Sequence, residues 1–309
     1  MRHLSLLAVL AGTAALSACG GEPTDPADAP ATEMTTVADG EVMTETTEVP
    51  AGPDLSVLAE VIDADWRDAS RDRDTWRNPQ ATIEFFQLDP SSTIVEIWPG
   101  GGWYTDILAP WIHANGGQYI AAHFSADSES EYRRRSRAAF EARMADNEVY
   151  GDVMTVGFDG TTPLDLDAGS VDAVLTFRNV HNWMSGGFTE LALADFHRIL
   201  RPGGVLGVVE HRLPSTREQD PGASTGYVQQ AYVIALAEEA GFEFVGASEV
   251  NANPADTADH PFGVWTLAPV RRNPPADSEM AADFDREAYD AIGESDRMTL
   301  LFRKPAASE

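Results

Sequence analysis

The chain has 309 residues, with 50 Asp and Glu against 21 Lys and Arg, for a formal net charge of −29. A surface that tracks phosphates needs clustered Lys and Arg; along the chain these gather only at residues 133–137 and at Arg271-Arg272, which excludes nucleic acid as an expected partner. Cys19 is the only cysteine, so disulfide and thiol chemistry in the body of the chain are excluded as well.

The first 19 residues read as a secretion signal. Arg2 supplies positive charge, and residues 4–16 form a mostly apolar run of 13 residues, too short to span a bilayer. The run ends in Leu16-Ser17-Ala18-Cys19-Gly20, small residues before a cysteine, which resembles the lipobox of bacterial lipoproteins. The resemblance implies a lipidated Cys19 and a location on the periplasmic side of the cell envelope. Membrane contact would then run through the lipid anchor only. Gly20, where an Asp would favour the inner membrane, points to the outer membrane of a Gram-negative cell. Residues 20–54 hold nine acids, no Lys or Arg and almost no aliphatic periodicity. Such a segment cannot bury enough apolar surface to offset its ordering entropy, so it reads as a disordered tether. Residues 55–309 remain, enough for one domain.

That body alternates helix and strand signals. Residues 55–66 are amphipathic and read as a helix, and 79–86 as a second, with Pro79 at its start. Residues 93–97 are a β-branched run, hence a buried strand, followed by Gly100-Gly101-Gly102 and a helix over 103–111. Strands are expected at 118–122, 153–158, 171–177, 205–209, 242–250 and 297–303. Helices are expected at 129–146, 188–200 and 227–240. Arg201-Pro202-Gly203-Gly204 reads as a helix stop and turn, and Gly241 as a helix end. Alternation of this kind implies an α/β fold with a doubly wound, mostly parallel sheet, whose ligands bind beyond the carboxyl ends of the strands.

Three stretches carry the chemistry. Val95-Glu96-Ile97-Trp98-Pro99-Gly100-Gly101-Gly102 runs a strand into a glycine loop and a helix, where backbone N–H groups approach a ligand. A buried strand emerges at Phe177-Arg178-Asn179-Val180-His181-Asn182-Trp183, expected as a polar, aromatic loop. The third stretch runs from His197 through Pro202-Gly203-Gly204 to Glu210. In this order the three resemble class I S-adenosylmethionine-dependent methyltransferases, a Rossmann-like fold. Phe177-Arg178-Asn179-Val180 and the Pro-Gly-Gly turn look like the ubiquinone/menaquinone C-methyltransferases. The runs Trp98–Tyr104 and Gly293–Met298 look like predicted methyltransferases of bacterial envelopes.

The resemblance implies S-adenosylmethionine as cofactor and a small molecule as methyl acceptor. Glu96, Gly100, Gly101 and Gly102 would form the loop at the cofactor's amino-acid end. Asp159 would accept from the adenine amino group, and Arg178 and Asn179 would line the floor between cofactor and acceptor. Two positions depart from the pattern: Trp98 stands where the first loop glycine is usual, and His123 where a carboxylate usually accepts the ribose hydroxyls. A neutral imidazole accepts one hydrogen bond and donates one, so either His123 binds the ribose or the site holds something else.

His181 and His211 are the candidate general bases, with an ordinary pKa near ~6.5. Glu210-His211-Arg212 could instead pair internally. Asn251, Asn253, Asp256, Asp259 and His260, with His181 and His211, match no specific metal spacing, so no metal is expected. Glu294-Ser295-Asp296-Arg297 reads as a structural turn and ion pair, and residues 251–290 as a segment able to cover the site. The compartment raises a second function: the charged cofactor cannot cross a bilayer passively. The alternative is therefore a non-catalytic envelope module that binds another ligand or a partner protein.

Overall fold

The computed structural model describes residues 55–306; the expected signal peptide with Cys19, the acidic tether and the last three residues lie outside the described residues. In chain order the helices are α1 (Leu55–Ile62), α2 (Asp74–Arg77), α3 (Pro79–Phe85), α4 (Thr105–Ala114), α5 (Glu131–Ala145), α6 (Val180–Gly186), α7 (Thr189–Ile199), α8 (Gln230–Glu239) and α9 (Arg286–Ile292). The strands are β1 (Thr93–Ile97), β2 (Gln118–His123), β3 (Met154–Gly157), β4 (Val171–Phe177), β5 (Leu200–Leu213), β6 (Val228–Gln229), β7 (Glu243–Ser248), β8 (Pro261–Val264) and β9 (Arg297–Arg303).

The sheet runs β3-β2-β1-β4-β5-β9-β7, with β6 added to the end of β5. Strands β3, β2, β1, β4 and β5 are parallel, while β9 lies antiparallel to both β5 and β7. This is the doubly wound α/β sheet expected from the alternation. Strand order reverses between β1 and β4. A crevice must open there, because the helices that follow those two strands cross to opposite faces.

The period-2 alternation of strand side chains builds a core on each face. Val95, Ile97, Ile120, Ala122 and Val174 join α6, α7 and α8 on one side. Ile94, Tyr119, Ala121, Ala173 and Leu175 join α1, α3, α4 and α5 on the other. Local chemistry sets the helix starts. Pro79 opens α3, the Ser130 side chain accepts from Arg133 N–H at the start of α5, and Asp285 caps α9 by accepting from Ala288 N–H.

Three expectations are corrected. The helix does stop before residues 201–204, at Ile199, but these residues are not a turn outside the sheet: β5 begins at Leu200, and the register jumps from Val171↔Leu200 to Ala173↔Val205. The Pro-Gly-Gly is thus an excursion inside the strand pairing, allowed by Gly203 at φ +77. The expected loop after β4 is the helix α6, whose seven residues are too few to show a period in sequence. The first helix stops at Ile62 and gives way to short 3-10 turns.

The core on the α6–α8 face turns on aromatic contacts. Phe196 is fully buried, with ring centroids 5.5 Å from Phe158 and 5.4 Å from Trp183. Phe196→Ala should lower stability by about 3–5 kcal/mol through cavity formation, read from the urea midpoint at unchanged slope. A loss below about 1 kcal/mol would mean that the surrounding rings close the space.

Candidate active site

The crevice at the strand-order reversal holds a cavity of about 600 Å³. Its walls come from the loop after β1, the turn after β4, the end of β5, the segment around α2 and residues 264–270. A second cavity of about 570 Å³ continues it along the glycine loop; the two share Trp98, Gly100, Gly101, Tyr132, Asn179 and Asn182.

The glycine loop is only in part what the sequence implied. Gly100 and Gly101 line both cavities, and a Cβ on either would meet nothing within 4 Å. These are the bare positions a ligand needs. Gly102 lines neither; a Cβ there would collide with Arg143, whose Nη1 lies 2.5 Å from Asp106 Oδ1. Gly102 therefore serves the packing of α5 on the loop. Trp98 has φ +46 and is turned into the core, where its Nε1 donates to Phe158 O at 2.8 Å. Its ring sits among Phe124, Phe158, Trp183 and Phe188. An indole has replaced the empty space that a glycine would leave.

His123 is fully buried at the end of β2 and lines neither cavity. Its Nδ1 accepts from Phe124 N–H at 2.7 Å, and burial pulls its pKa down to about 4. Asp159 lies outside both cavities too. Its Oδ1 accepts from Thr161 N–H and hydroxyl at 2.8 and 2.7 Å, which closes the turn after β3. The structure does not bring these two residues to the groove: His123 is packed beside Gly100 of the loop and against Phe140, and Asp159 is spent on its own turn.

Glu96 does reach it. It is buried on β1 and lines the larger cavity, and its Oε2 accepts from Tyr119 at 2.5 Å and Thr105 at 3.0 Å. Burial pushes its pKa up to about 7, against those two hydrogen bonds. Asn179 pins the loop to β4: its Nδ2 donates to Ile97 O at 2.9 Å and to Thr176 Oγ1 at 3.2 Å. Arg178 sits at φ +62, a conformation that costs a side-chain-bearing residue energy, and its side chain lines the cavity.

His181 and His211 come together on Glu210. Nδ1 of His181 lies 3.0 Å from Glu210 Oε1, and the carboxylate also accepts from the backbone N–H of His181 at 3.3 Å and of His211 at 2.8 Å. The two imidazole centroids are 5.4 Å apart, and His211 Nδ1 meets Ser295 Oγ at 2.6 Å. Burial, then the charges of His181, Arg178, Arg297 and Arg77, hold His211 well below its ordinary pKa. His181 lines the cavity and Glu210 fixes its ring through Nδ1, which leaves Nε2 for a ligand proton.

Donor atoms of His181, Glu210 and His211 all lie within 4.8 Å of one another, close enough to share a metal ion. The nearby guanidinium groups oppose a dication there. The other donors weighed in sequence go elsewhere. Asp256 accepts from His260 Nε2 at 2.7 Å, from Tyr227 OH and from Asp296 N–H, and Asn253 ties residues 292 and 294 together. Residues 264–270 of the expected covering segment do form a wall.

Sequence order hid one feature. Arg73, Arg77 and Arg297 converge on Glu294, at 2.6, 3.2 and 3.0 Å, beside Arg178. No run of basic residues announces them; the spacing Arg67, Arg71, Arg73, Arg77 was the only hint.

The raised pKa of Glu96 fixes a pH dependence. Between about 4.5 and about 7 the folded chain holds a proton on Glu96 that the unfolded chain has released. Stability from this group is therefore full below pH 4.5 and falls as pH rises toward 7. Glu96→Gln should match wild type at pH ~4 and exceed it at pH ~8 by about 1–3 kcal/mol in denaturant titrations. A difference that does not change with pH would show that Glu96 is not protonated on folding.

Residues 95–208 match the model of a methyltransferase domain family. No curated protein matches the chain. Among solved structures, the 4+2 cyclase SpnF superposes with TM-score 0.52 at 17% identity, over 82% of this chain and 93% of that one. A protein described as a candidate sarcosine dimethylglycine methyltransferase from Galdieria sulphuraria gives TM-score 0.51 at 14% identity, over 80% and 90%. An S-adenosylmethionine-dependent methyltransferase from Aquifex aeolicus gives 0.47 at 16% identity, over 64% and 93%. The described residues carry the class I methyltransferase fold, with a methyltransferase domain match over residues 95–208.

Proposed function

We propose that the chain is an S-adenosylmethionine-dependent methyltransferase acting on a small molecule at the cell envelope. One observation carries this: the bare Gly100-Gly101 edge and the Glu96 carboxylate open into the same cavity as the Glu210-held imidazole of His181. The residues fit the cofactor's amino-acid end. Glu96 has one oxygen engaged and would accept from the ammonium group, and Gly100 and Gly101 would lie against the chain of the amino acid. For the adenosine end, the second cavity offers the rings of Trp98 and Phe124 and the polar groups of Ser136 and Asn182. When bound, the cofactor supplies an electrophilic methyl group.

The chain's own task is to hold and deprotonate the acceptor. His181 Nε2 takes the acceptor's proton. Glu210 keeps the ring in one tautomer through Nδ1 and stabilises the imidazolium that forms. His211, held neutral, does not compete for that proton. Asn179 keeps the glycine loop in register with β4, so the donor and acceptor halves of the cavity stay aligned.

One observation favours the second function, a non-catalytic binding module. Neither His123 nor Asp159 lines the groove, so an adenosine there meets no carboxylate. The fold does not decide between them, since a structure that superposes at TM-score 0.52 is named a cyclase.

Calorimetry separates the two. S-adenosylmethionine should bind saturably, and Gly101→Val should weaken it at least tenfold, since the new side chain enters open space and leaves the fold intact. His181→Asn should keep cofactor affinity and lower turnover by about 10²–10⁴-fold. No heat of binding at millimolar cofactor would favour the module. The lipid anchor is a separate proposal resting on the lipobox-like run: Cys19→Ala should move the chain from the membrane to the soluble fraction, or block its processing. An unchanged membrane fraction with normal processing would remove the anchor.

A further inference from the structure

The arginines at the cavity wall outnumber their counter-ions. Glu294 alone answers Arg73, Arg77 and Arg297. Arg178 makes no hydrogen bond or ion pair through its side chain with the described residues, and its charge is felt by Arg77, Arg297, Arg73 and Glu294. Arg77 is the sharper case. Its side chain is 0% exposed, only Nε is engaged, and Nη1 and Nη2 are buried without a partner. Its guanidinium lies 4.6 Å from the Trp103 ring centroid, in the wall of the cavity. Arg73 Nη2 is buried and unpartnered as well, and Arg73 lines the same wall.

Uncompensated buried charge is among the most costly features a fold can carry. Guanidinium edges meet carboxylate and phosphate oxygens in paired hydrogen bonds, a match that a point cation does not reproduce. We propose that this cavity is built for a small-molecule acid, whose carboxylate or phosphate group docks between Arg77 and Arg178 with Arg73 beside it. Burial and the neighbouring guanidinium groups both work against the charges on Arg77 and Arg178, the disfavour that a bound oxyanion relieves. His181 borders the same cavity, so an acid held there presents its remaining groups to Nε2. The acceptor role of this acid rests on the methyltransferase proposal; its binding does not.

The same chemistry has another source, the carboxylate of S-adenosylmethionine itself, and the experiment separates the two. Inorganic phosphate and succinate are titrated calorimetrically into the purified chain at constant chloride, with and without saturating S-adenosylhomocysteine. At least one should bind saturably at millimolar concentration and keep its affinity when S-adenosylhomocysteine is present. Arg178→Met should lower that affinity tenfold or more, and without ligand it should melt no lower than wild type, since it removes an unpaired cation. Arg178→Lys should fall between. Competition with S-adenosylhomocysteine would assign the anion site to the cofactor and overturn the proposal. Absence of saturation for both anions in the folded chain would overturn it too. If phosphate or succinate binds and S-adenosylmethionine does not, the acid site stands and the methyltransferase proposal falls.

Discussion

The carboxylate of Glu294 is the contact on which the rest of the site depends. It is nearly buried and joins Arg73 and Arg77, at the N-terminal side of the domain, to Arg297 at the start of β9. Burial alone would raise its pKa; Arg77, Arg297, Arg73 and Arg178 outweigh burial and bring it down to about 2. Removing it would leave three guanidinium groups facing one another with no counter-ion. A broken buried pair costs far more than an intact one contributes. The segment around α2 is thereby fastened over the crevice rather than left to drift from the sheet. Without that tie, the cavity has no wall on the side of Arg73 and Arg77.

A second constraint works from the opposite wall. Trp98 enters the core in place of a glycine, and its indole takes the Phe158 carbonyl. The ring then occupies volume between the glycine loop and the ends of β2 and β3. His123 is packed against Phe140 and Asp159 closes a turn, and neither lines the groove. A carboxylate at position 123, fully buried, would carry a large desolvation cost. A neutral imidazole, accepting from the Phe124 N–H, tolerates the position.

The fold was legible because hydrophobic period and turn chemistry are local. Pro79, the β-branched run of β1 and the Gly241 helix end all act within a few residues of themselves. The register excursion at Pro202-Gly203-Gly204 was not legible, since a strand and a turn share the same residues there. Helix α6 was hidden by its length. For the site, Glu96, Gly100, Gly101, Arg178 and Asn179 were implied by the family resemblance and His181 and His211 by their place near strand ends, and all seven line the larger cavity. Asp159 is spent on its own turn, while Gly102 and His123 could not be placed, because what decides them is a side chain elsewhere, Arg143 for the first and Phe140 for the second. The arginine cluster was missed for the same reason. Arg77 and Arg297 are 220 positions apart in number and meet only through Glu294.

The charge distribution bears on what this cavity can hold. A chain of net charge −29 should repel anions on approach, which argues against an acidic ligand at first sight. Screening decides otherwise. Over the ~8 Å Debye length at physiological ionic strength, exposed carboxylates lose their reach, while charges held in a low-dielectric wall are screened much less. A ligand at the mouth of the cavity therefore feels Arg73, Arg77 and Arg178 far more than the distant surface acids. The same arrangement counts against a metal at His181, Glu210 and His211, although the donors are close enough to hold one. Glu210 already accepts from two backbone N–H groups and faces an imidazole, and the nearest mobile charge would have to share its space with the guanidinium groups. A cavity so wired lowers the energy of negative charge and raises that of positive charge. When His181 takes a proton from a bound acid, the positive charge created falls on an imidazole that the buried Glu210 carboxylate holds at 3.0 Å. Glu210 is thus the element that lets a proton leave the ligand inside an otherwise cationic wall.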